Sequence, residues 1–240
     1  MSKMRFHIGR IVIPLLPVNR RVFDLLRLEF RAAKATIGNI INPRSRTAVR
    51  KLKFARELSI NLGSGGRGLP GWVNIELKSH KDTTLCLDIR RRLPFADGSA
   101  RRILAEHVIE HLDFREDVPR LFREFYRVLA PGGVVRIIVP DAARFLEAYV
   151  FNDTERWRRL GWNVDKLPAD IYTPMHVINH IFNQSGEHLF GYDFRTMQWA
   201  LRQVGFSVIL RQEFGVSLDT DLAIDQVIHQ PYSLYVEAAR

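Results

Sequence analysis

Three side chains that could perform chemistry stand together in the pentapeptide HVIEH, residues 107–111. In the pattern H-x-x-E-H, two histidines four residues apart share one face of a helix and hold Zn²⁺, as in inverted zinc proteases. Such a site also needs a third ligand and an open coordination position. Here the apolar run RILA leads directly into His107, which predicts that His107 lies on a strand-to-helix turn, and no third ligand is indicated. We therefore expect no metal at this place.

A histidine on such a turn can have two roles. His107 could shape the turn through a hydrogen bond, or it could contact a cofactor or an acceptor and serve as a general base. Glu110 and His111 could support it, cap the following helix or contact the substrate. We take His107 as the candidate catalytic residue and His111 as a candidate substrate contact.

A glycine-rich segment, INLGSGGRGLPGW, precedes this turn in the chain. Gly63, Gly65 and Gly68 match G-x-G-x-x-G after an apolar run that resembles a strand. A dinucleotide fold needs a full helix next, because the helix N-terminus binds the pyrophosphate. Pro70 and Gly71 and a new apolar run from Trp72 leave no room for one. The segment therefore suits a ligand that has an adenosine but no phosphate.

Two acids stand where such a ligand would need them. Glu76 ends the second apolar run and could accept hydrogen bonds from both ribose hydroxyls. Asp88 follows the third run and could accept from the adenine amino group. S-adenosylmethionine is a ligand of this kind, because it contains adenosine and carries no phosphate.

These residues lie between short apolar runs that predict a parallel sheet buried on both faces. The runs are LSINL (58–62), WVNIEL (72–77), TTLCLDI (83–89), RRILAEH (101–107) and GVVRIIV (133–139). An amphipathic helix is predicted between the last two, with Asp113 and Glu116 as its capping pair and Pro131-Gly132-Gly133 as its end. After residue 190 the pattern predicts a helix (DFRTMQWALRQVGF), a strand (SVILRQEF) and a last strand (YSLYVEAA). Strands that alternate with helices indicate an α/β fold.

The chain resembles the class I S-adenosylmethionine-dependent methyltransferases. The resemblance rests on NLGSG (61–65), PGWVNIE (70–76), LDIRRRLPFADGSA (87–100), AEHVIEHL (105–112) and REFYRVLAPGGVVRIIVPD (123–141), in family order, and on EHLFGYDFRTMQWALRQVGF (187–206). It implies a Rossmann-like three-layer sandwich, with a mostly parallel seven-stranded sheet whose last strand is antiparallel. Methyl transfer with S-adenosylmethionine as cofactor is the activity that the resemblance implies.

The resemblance also implies a role for each motif residue. Gly63 and Gly65, with Ser64 between them, would pass under the methionine and ribose parts of the cofactor. Glu76 would bind the ribose, Asp88 and Ile89 would meet the adenine, and Glu106 and His107 would face the methionine moiety and the acceptor. Asn61 stands where the family often has an acid, so its contact with the amino group of the cofactor would be weaker.

Residues 142–190 are less regular and predict an insertion that caps the substrate side. Its histidines, His176, His180 and His188, are candidate substrate contacts, as is Tyr192 just beyond it. His176 and His180 are spaced i and i+4, so they could equally flank a packed helix.

Charge separates an N-terminal arm from the remainder. Residues 1–56 hold 14 Lys and Arg against 2 acids, a local net charge of +12 in a chain of +10. VFDLLRLEFRAAKATI (22–37) predicts an amphipathic helix, which could pack on the main domain with a solvated basic face, bind anionic lipid or bind nucleic acid. We therefore divide the chain into a basic arm, 1–56, and a methyltransferase domain, 57–240.

Composition sets the remaining expectations. Cys86 is the only cysteine, so an intrachain disulfide is excluded and a reducing compartment fits. Arg10 and two prolines interrupt the first apolar run and no small-residue cleavage site follows, so we expect no signal peptide. A cytoplasmic protein, in peripheral contact with the inner face of a membrane if the arm binds lipid, is the expected location.

The expected reaction is O-methylation of a small molecule or of a sugar in a glycan. An RNA methyltransferase that uses the basic arm is the alternative, and so is a degenerate methyltransferase fold that acts only as a partner module. A short-chain NAD-dependent oxidoreductase should carry a Tyr-x-x-x-Lys pair, and this chain has no such spacing.

Overall fold

A computed structural model of the 240-residue chain describes residues 19–240, and its centre is a seven-stranded sheet. The strands are β1 (Leu58–Leu62), β2 (Val73–Glu76), β3 (Leu85–Cys86), β4 (Ala100–Glu106), β5 (Leu129–Pro140), β6 (Val208–Gln212) and β7 (Ser233–Ala239). Their order is β3-β2-β1-β4-β5-β7-β6, and β7 runs antiparallel to both of its neighbours. The fold class predicted from the sequence is confirmed.

Seven α-helices accompany the sheet within the described residues. They are α1 (Arg20–Ile41), α2 (Pro43–Phe54), α3 (Asp117–Val128), α4 (Ala142–Val150), α5 (Thr154–Arg159), α6 (Pro174–Asn183) and α7 (Phe194–Arg202). None of the helices within 19–240 is long and apolar enough to cross a membrane. The signal-peptide prediction and the start of the basic arm fall on residues 1–18, outside the described residues.

Alternation along the strands explains why the sheet has two different faces. Ile60 and Leu62 of β1 and Ile103 of β4 contribute to the main core, which α3 and α7 complete. Residues between them, such as Asn61, point to the opposite face, because successive side chains of a strand alternate. That second face is covered by the glycine segment and by the connection between β6 and β7, residues 213–232, which contains two short 3₁₀ turns.

A buried ion cluster anchors the β6–β7 connection to the second face. The Arg136 guanidinium on β5 bonds to Asp225 in the connection at 2.6 Å and to Glu237 on β7 at 2.8 Å, and all three side chains are fully buried. It also donates to the carbonyl oxygens of Glu213 and Val216. Burying a charge is tolerable only when it is paired and hydrogen-bonded, and this arginine is both.

Helix α3 follows its predicted pattern but has different ends. Its buried face includes Phe122 and Phe125. The Asp113 carboxylate accepts from the amides of Arg115 and Glu116, whereas the predicted reciprocal bond from the Glu116 side chain is not made. The helix gives way to β5 at Leu129, before the prolyl-glycine stop, because β5 pairs with β4 from that residue onward.

The first helix packs on the domain through small residues. Ala32 and Ala35 of α1 are buried, and Asn39 donates to the carbonyl oxygen of Cys86 at 2.8 Å, which attaches the helix to the β3 edge. The large apolar residues of α1 point outward instead; Phe30 is 71% exposed and Ile41 is 70% exposed. The helix therefore presents an apolar stripe to solvent, which the packed-helix reading of the sequence did not foresee.

A candidate active site at the carboxyl ends of the strands

The glycine segment after β1 forms a tight turn whose two key glycines have different surroundings. Gly63 and Gly65 have φ angles of 62° and 52°, a region that favours glycine. A Cβ added to Gly63 would overlap Val108 Cγ2, whereas one added to Gly65 would meet nothing within 4 Å. Gly63 therefore presses the loop against the turn after β4, and Gly65 faces open space that a ligand could fill.

Glu76, at the end of β2, is adjacent to this open space. Its Oε2 accepts from the Gly65 amide at 2.9 Å, and its Oε1 accepts from the Leu77 amide at 2.8 Å. The hydroxyl of Ser64 is buried nearby in the same turn and has no hydrogen-bond partner. A buried polar atom without a partner is uncommon and marks a place where a ligand can supply one.

Asn61 supports the loop from beneath. Its side-chain amide donates to the Arg67 carbonyl at 3.1 Å and to Asn74 Oδ1 at 3.0 Å. Asn74 in turn bonds to the backbone of Leu69. Both donors of Asn61 are thus used within the protein, and its predicted contact with the cofactor stays a prediction. Gly68 is also required by packing, since a Cβ there would overlap the Asp82 side chain.

Asp88 differs from its prediction. It lies buried after β3, but its Oδ1 and Oδ2 accept from Arg90 at 2.9 and 3.0 Å. Burial opposes ionisation of Asp88, but the hydrogen bonds and charge of Arg90 outweigh it and lower the pKa. Arg90 also reaches Glu29 of α1 at 2.6 Å. Asp88 is therefore an ion-pair partner, and the neighbouring Ile89 packs against the main core. The contact of both residues with the adenine stays a prediction.

Glu106, the last residue of β4, is saturated with hydrogen bonds. It accepts from Arg67 at 2.9 Å, from the Gln226 amide and side chain at 3.1 and 3.0 Å, and from His229 Nδ1 at 3.0 Å. Burial raises its pKa, but the hydrogen bonds from His229 and Gln226 prevail and hold the pKa below its usual value. Glu106 therefore ties the glycine loop to the β6–β7 connection, and its predicted place facing the methionine moiety stays a prediction.

His107 lies on the turn after β4, as the sequence predicted. Its φ of 51° places it in the left-handed region, and the following residues Ile109–His111 form one 3₁₀ turn instead of an α-helix. Its Nδ1–H donates to Glu110 Oε1 at 3.0 Å, and its Nε2 accepts from the Ser233 hydroxyl at 3.0 Å. The carboxylate thereby keeps the proton on Nδ1 and leaves the lone pair on Nε2.

Two residues beside His107 were not predicted. The His229 ring lies 4.1 Å from the His107 ring, centre to centre, and Ser233 begins β7. A signal for both existed in the sequence, because the start of an antiparallel last strand lies at the same edge as the ends of the parallel strands. Residues just before and at the start of SLYVEAA were therefore candidates.

The insertion contributes one of its three histidines, His188, to the side of the sheet where the parallel strands end. The His188 ring lies 4.9 Å from the His111 ring, and burial lowers the pKa of His188. The backbone of Glu110 holds the insertion in place, since its carbonyl oxygen accepts from the Leu189 amide at 2.8 Å. Glu110, His111 and His188 thus form a cluster next to His107.

The other predicted substrate residues are not in this cluster. His176 and His180 lie exposed on α6, where their rings contact those of Tyr172 and Trp162. Tyr192 is fully buried and packs against Phe190. Burial raises its pKa, and its hydroxyl has no hydrogen-bond partner. Of the three insertion histidines, His188 is the one that joins this cluster, and substrate contact by His176 and His180 stays a prediction.

The carboxyl-end side of the sheet thus joins a candidate binding half and a candidate proton-transfer half. The binding half consists of an open glycine turn, an unpaired hydroxyl at Ser64 and a carboxylate at Glu76. The proton-transfer half is the Glu110–His107 pair, which can take a proton at Nε2. Two surface grooves around Asp153 and Arg156 are lined by α4, α5 and the residues next to them, and by none of the residues of either half.

Comparison with known proteins identifies one matching family. A family model described as "Methyltransferase domain" matches residues 72–137, a span from β2 into β5 that includes Glu76, His107 and Glu110. No curated protein matches the chain.

Solved structures resemble the fold at low identity. A SAM dependent methyltransferase from Archaeoglobus fulgidus is 13% identical, with 84% of this chain and 94% of that chain covered and a TM-score of 0.46. One from Mesorhizobium loti is 18% identical, with 83% and 99% covered and a TM-score of 0.47. A Burkholderia thailandensis 1,6-didemethyltoxoflavin-N1-methyltransferase with bound S-adenosylhomocysteine is 9% identical, with 94% and 92% covered and a TM-score of 0.47.

Proposed function

We propose that the chain is an S-adenosylmethionine-dependent methyltransferase and that it methylates an oxygen of a small-molecule or sugar acceptor. The observation that carries the proposal is the pairing of an adenosine-type binding half with a histidine that can accept a proton. The glycine turn leads into β2 with no helix in residues 63–72, so it suits a nucleoside without a pyrophosphate.

The cofactor would be held by the residues that retain free surface or unpaired atoms. The Gly65 backbone would pass beneath it, Ser64 would donate or accept through its unpaired hydroxyl, and Glu76 would accept from the ribose hydroxyls. Ile89 would form an apolar wall for the adenine. Asp88 and Glu106 would act indirectly, because their ion pairs with Arg90 and Arg67 hold the loops that form the walls.

S-adenosylmethionine supplies the methyl group, whose bond to sulfur breaks as the bond to the acceptor oxygen forms. The protein's first task is to align the acceptor with that methyl group. Its second task is to remove the hydroxyl proton, which His107 Nε2 would accept once the acceptor hydroxyl takes the position of Ser233 Oγ. Glu110 stabilises the resulting imidazolium through its bond to Nδ1. A hydroxyl acceptor benefits from such a base because it must lose its proton, and the presence of His107 therefore favours oxygen as the acceptor atom.

The arm supports a second element of the proposal, peripheral contact with an anionic membrane. Leu26, Phe30, Ile37 and Ile41 are exposed at spacings that place them on one face of α1. Arg27 and Lys34, also exposed, flank this apolar stripe, and residues 1–56 carry a net +12. An apolar face bordered by cations suits the interface of an anionic bilayer. RNA binding would instead call for basic side chains interleaved with stacking aromatics, and Phe30 is the one aromatic in the stripe.

Calorimetric titration of the full chain with S-adenosylmethionine, and separately with NAD, tests the proposed cofactor. We expect saturable binding of the first at one site per chain and no binding of NAD. Methyl transfer from labelled S-adenosylmethionine to a panel of sugars and phenolic hydroxyl compounds then tests the acceptor class. A folded protein that binds neither nucleotide would overturn the proposal and favour a non-catalytic partner module. Transfer only to RNA would overturn the acceptor class alone.

A further inference from the structure

The tertiary structure assembles a set of possible metal ligands that the sequence did not indicate. One nitrogen from each of His111 and His188 and one carboxylate oxygen of Glu110 all lie within 4.8 Å of one another. The sequence supplied the first two residues in HVIEH but indicated no third ligand. The insertion provides it, because the hydrogen bonds of the Glu110 backbone to residues 189 and 190 hold the insertion against the turn.

Both histidines of this cluster are oriented from behind. His111 Nδ1–H donates to the Glu187 carbonyl oxygen at 2.9 Å, and His188 Nδ1–H donates to the Ile181 carbonyl oxygen at 2.6 Å. In each ring the proton is therefore on Nδ1, and Nε2 keeps its lone pair. A hydrogen bond from the second ring nitrogen to a backbone carbonyl is the usual way in which proteins orient metal-binding histidines.

The carboxylate provides an independent indication of a ligand. The Glu110 residue is 1% exposed, its Oε1 accepts from His107, and its Oε2 is buried without a hydrogen-bond partner. An unpaired carboxylate oxygen in the interior carries a large desolvation cost. A cation at the cluster would remove that cost, and the two Nε2 lone pairs would supply two further ligands.

We propose that Glu110, His111 and His188 bind a divalent transition-metal ion, with Zn²⁺ as the first candidate. Two imidazole nitrogens and one carboxylate oxygen form a donor set that suits Zn²⁺, whereas Mg²⁺ and Ca²⁺ prefer oxygen ligands alone. Three protein ligands leave a coordination position open, as in catalytic zinc sites.

The position of the ion next to His107 suggests a role in methyl transfer. This role rests on the proposed function. Glu110 would contact the metal through one oxygen and His107 through the other. An acceptor oxygen in the open coordination position would therefore lie beside the proposed base. The ion would orient that oxygen and make its hydroxyl more acidic, and His107 would take the released proton.

The test uses the full chain, stripped with a chelator and dialysed, and titrates it with ZnCl₂ by calorimetry. Loading with Co²⁺ provides a second readout, since bound Co²⁺ absorbs visible light according to its coordination. We expect one Zn²⁺ per chain, and affinity reduced at least about 100-fold in both His111→Ala and His188→Ala. The matched control is His176→Ala, because His176 also lies in this part of the chain but is exposed on α6; its affinity should equal that of the wild type.

Two outcomes would overturn the inference. One is no saturable Zn²⁺ binding by the folded wild-type protein. The other is binding that persists unchanged in His111→Ala and His188→Ala, which would place the ion elsewhere. His111 forms an exposed contact, so His111→Ala should fold even if His188→Ala does not. If S-adenosylmethionine binds and Zn²⁺ does not, only the metal inference fails; Zn²⁺ binding without S-adenosylmethionine binding rejects the proposed function alone.

Discussion

The Nε2 atom of His107 lies 3.0 Å from the Ser233 hydroxyl oxygen, although 126 residues separate the two in the chain. The contact exists because β7 is antiparallel, so its first residue lies at the edge where β4 and β5 end. Together with the Glu110 contact on Nδ1, it determines which nitrogen of His107 can accept a proton.

Removing the base should reduce turnover without weakening cofactor binding. We expect His107→Asn to lower kcat by about 10²–10⁴-fold, because proton removal in the transition state is lost. Asparagine is chosen since it tolerates the left-handed φ of 51° at this position. Initial rates with the best acceptor of the panel, and calorimetry with S-adenosylmethionine, measure the two effects. His176→Asn is the control, and an unchanged kcat in His107→Asn would reject the base assignment.

Loss of the carboxylate after β2 should weaken cofactor binding. Glu76→Ala removes the acceptor proposed for both ribose hydroxyls, and hydrogen bonds to a charged group contribute about 1.5–3 kcal/mol. We therefore expect the Kd for S-adenosylmethionine to rise by about 10–100-fold. Glu116→Ala is the control, because that side chain is 74% exposed and outside the edge. Equal affinities in the two variants would contradict the ribose assignment.

A side chain at the first glycine should destabilise the fold. In Gly63→Ala the new Cβ would overlap Val108 and the residue would keep a positive φ, so we expect a loss of about 2–5 kcal/mol in the free energy of unfolding. Gly66→Ala is the matched control in the same loop, because a Cβ there meets nothing within 4 Å. Urea unfolding measures both. A loss in Gly63→Ala no larger than in Gly66→Ala would mean that the loop can move away from Val108.

Truncating the buried arginine should destabilise the β6–β7 connection. Arg136→Ala leaves Asp225 and Glu237 buried without their cation, and breaking such a pair costs about 3–5 kcal/mol. Arg120→Ala breaks only a 3.9 Å exposed pair with Glu116 and should cost less than about 1 kcal/mol. Thermal and urea unfolding compare the two variants. Similar losses in both would show that the cluster adds little to stability.

The stripe on α1 should determine membrane binding. We expect the full chain to sediment with phosphatidylserine-containing vesicles, less at high salt, and not with phosphatidylcholine vesicles. Placing charges in the stripe, with Phe30→Glu and Ile37→Glu combined, should weaken this binding at least about 10-fold, since apolar burial is lost. Val150→Glu is the control, because Val150 is 72% exposed on α4.

Two results would count against the membrane assignment. Vesicle binding that is unaffected by the paired substitutions would mean that the stripe is not the contact. A dimer in light scattering, converted to a monomer by the same substitutions, would assign the stripe to a second copy of the chain.

Several features could be read from the sequence because they depend on local pattern. The apolar runs predicted the strands of the sheet, since a strand that is buried on both faces consists almost entirely of apolar residues. Gly63 was recognisable because a tight turn after a strand favours a residue that accepts a positive φ. The place of His107 followed from the apolar run that ends beside it. Each of these depends on neighbours within a few residues.

Other features required the tertiary structure. Asp88 and Glu106 stand at the predicted strand ends, yet their oxygens bond to arginines whose side-chain directions no local pattern reveals. The choice among the insertion histidines was likewise made by packing, because the bonds between the Glu110 carbonyl and residues 189 and 190 bring His188 to the edge and leave His176 and His180 on an exposed helix. Strand ends could therefore be located from periodicity, but the partner of each polar atom there was decided by long-range contacts, which depend on how the connections pack against the sheet.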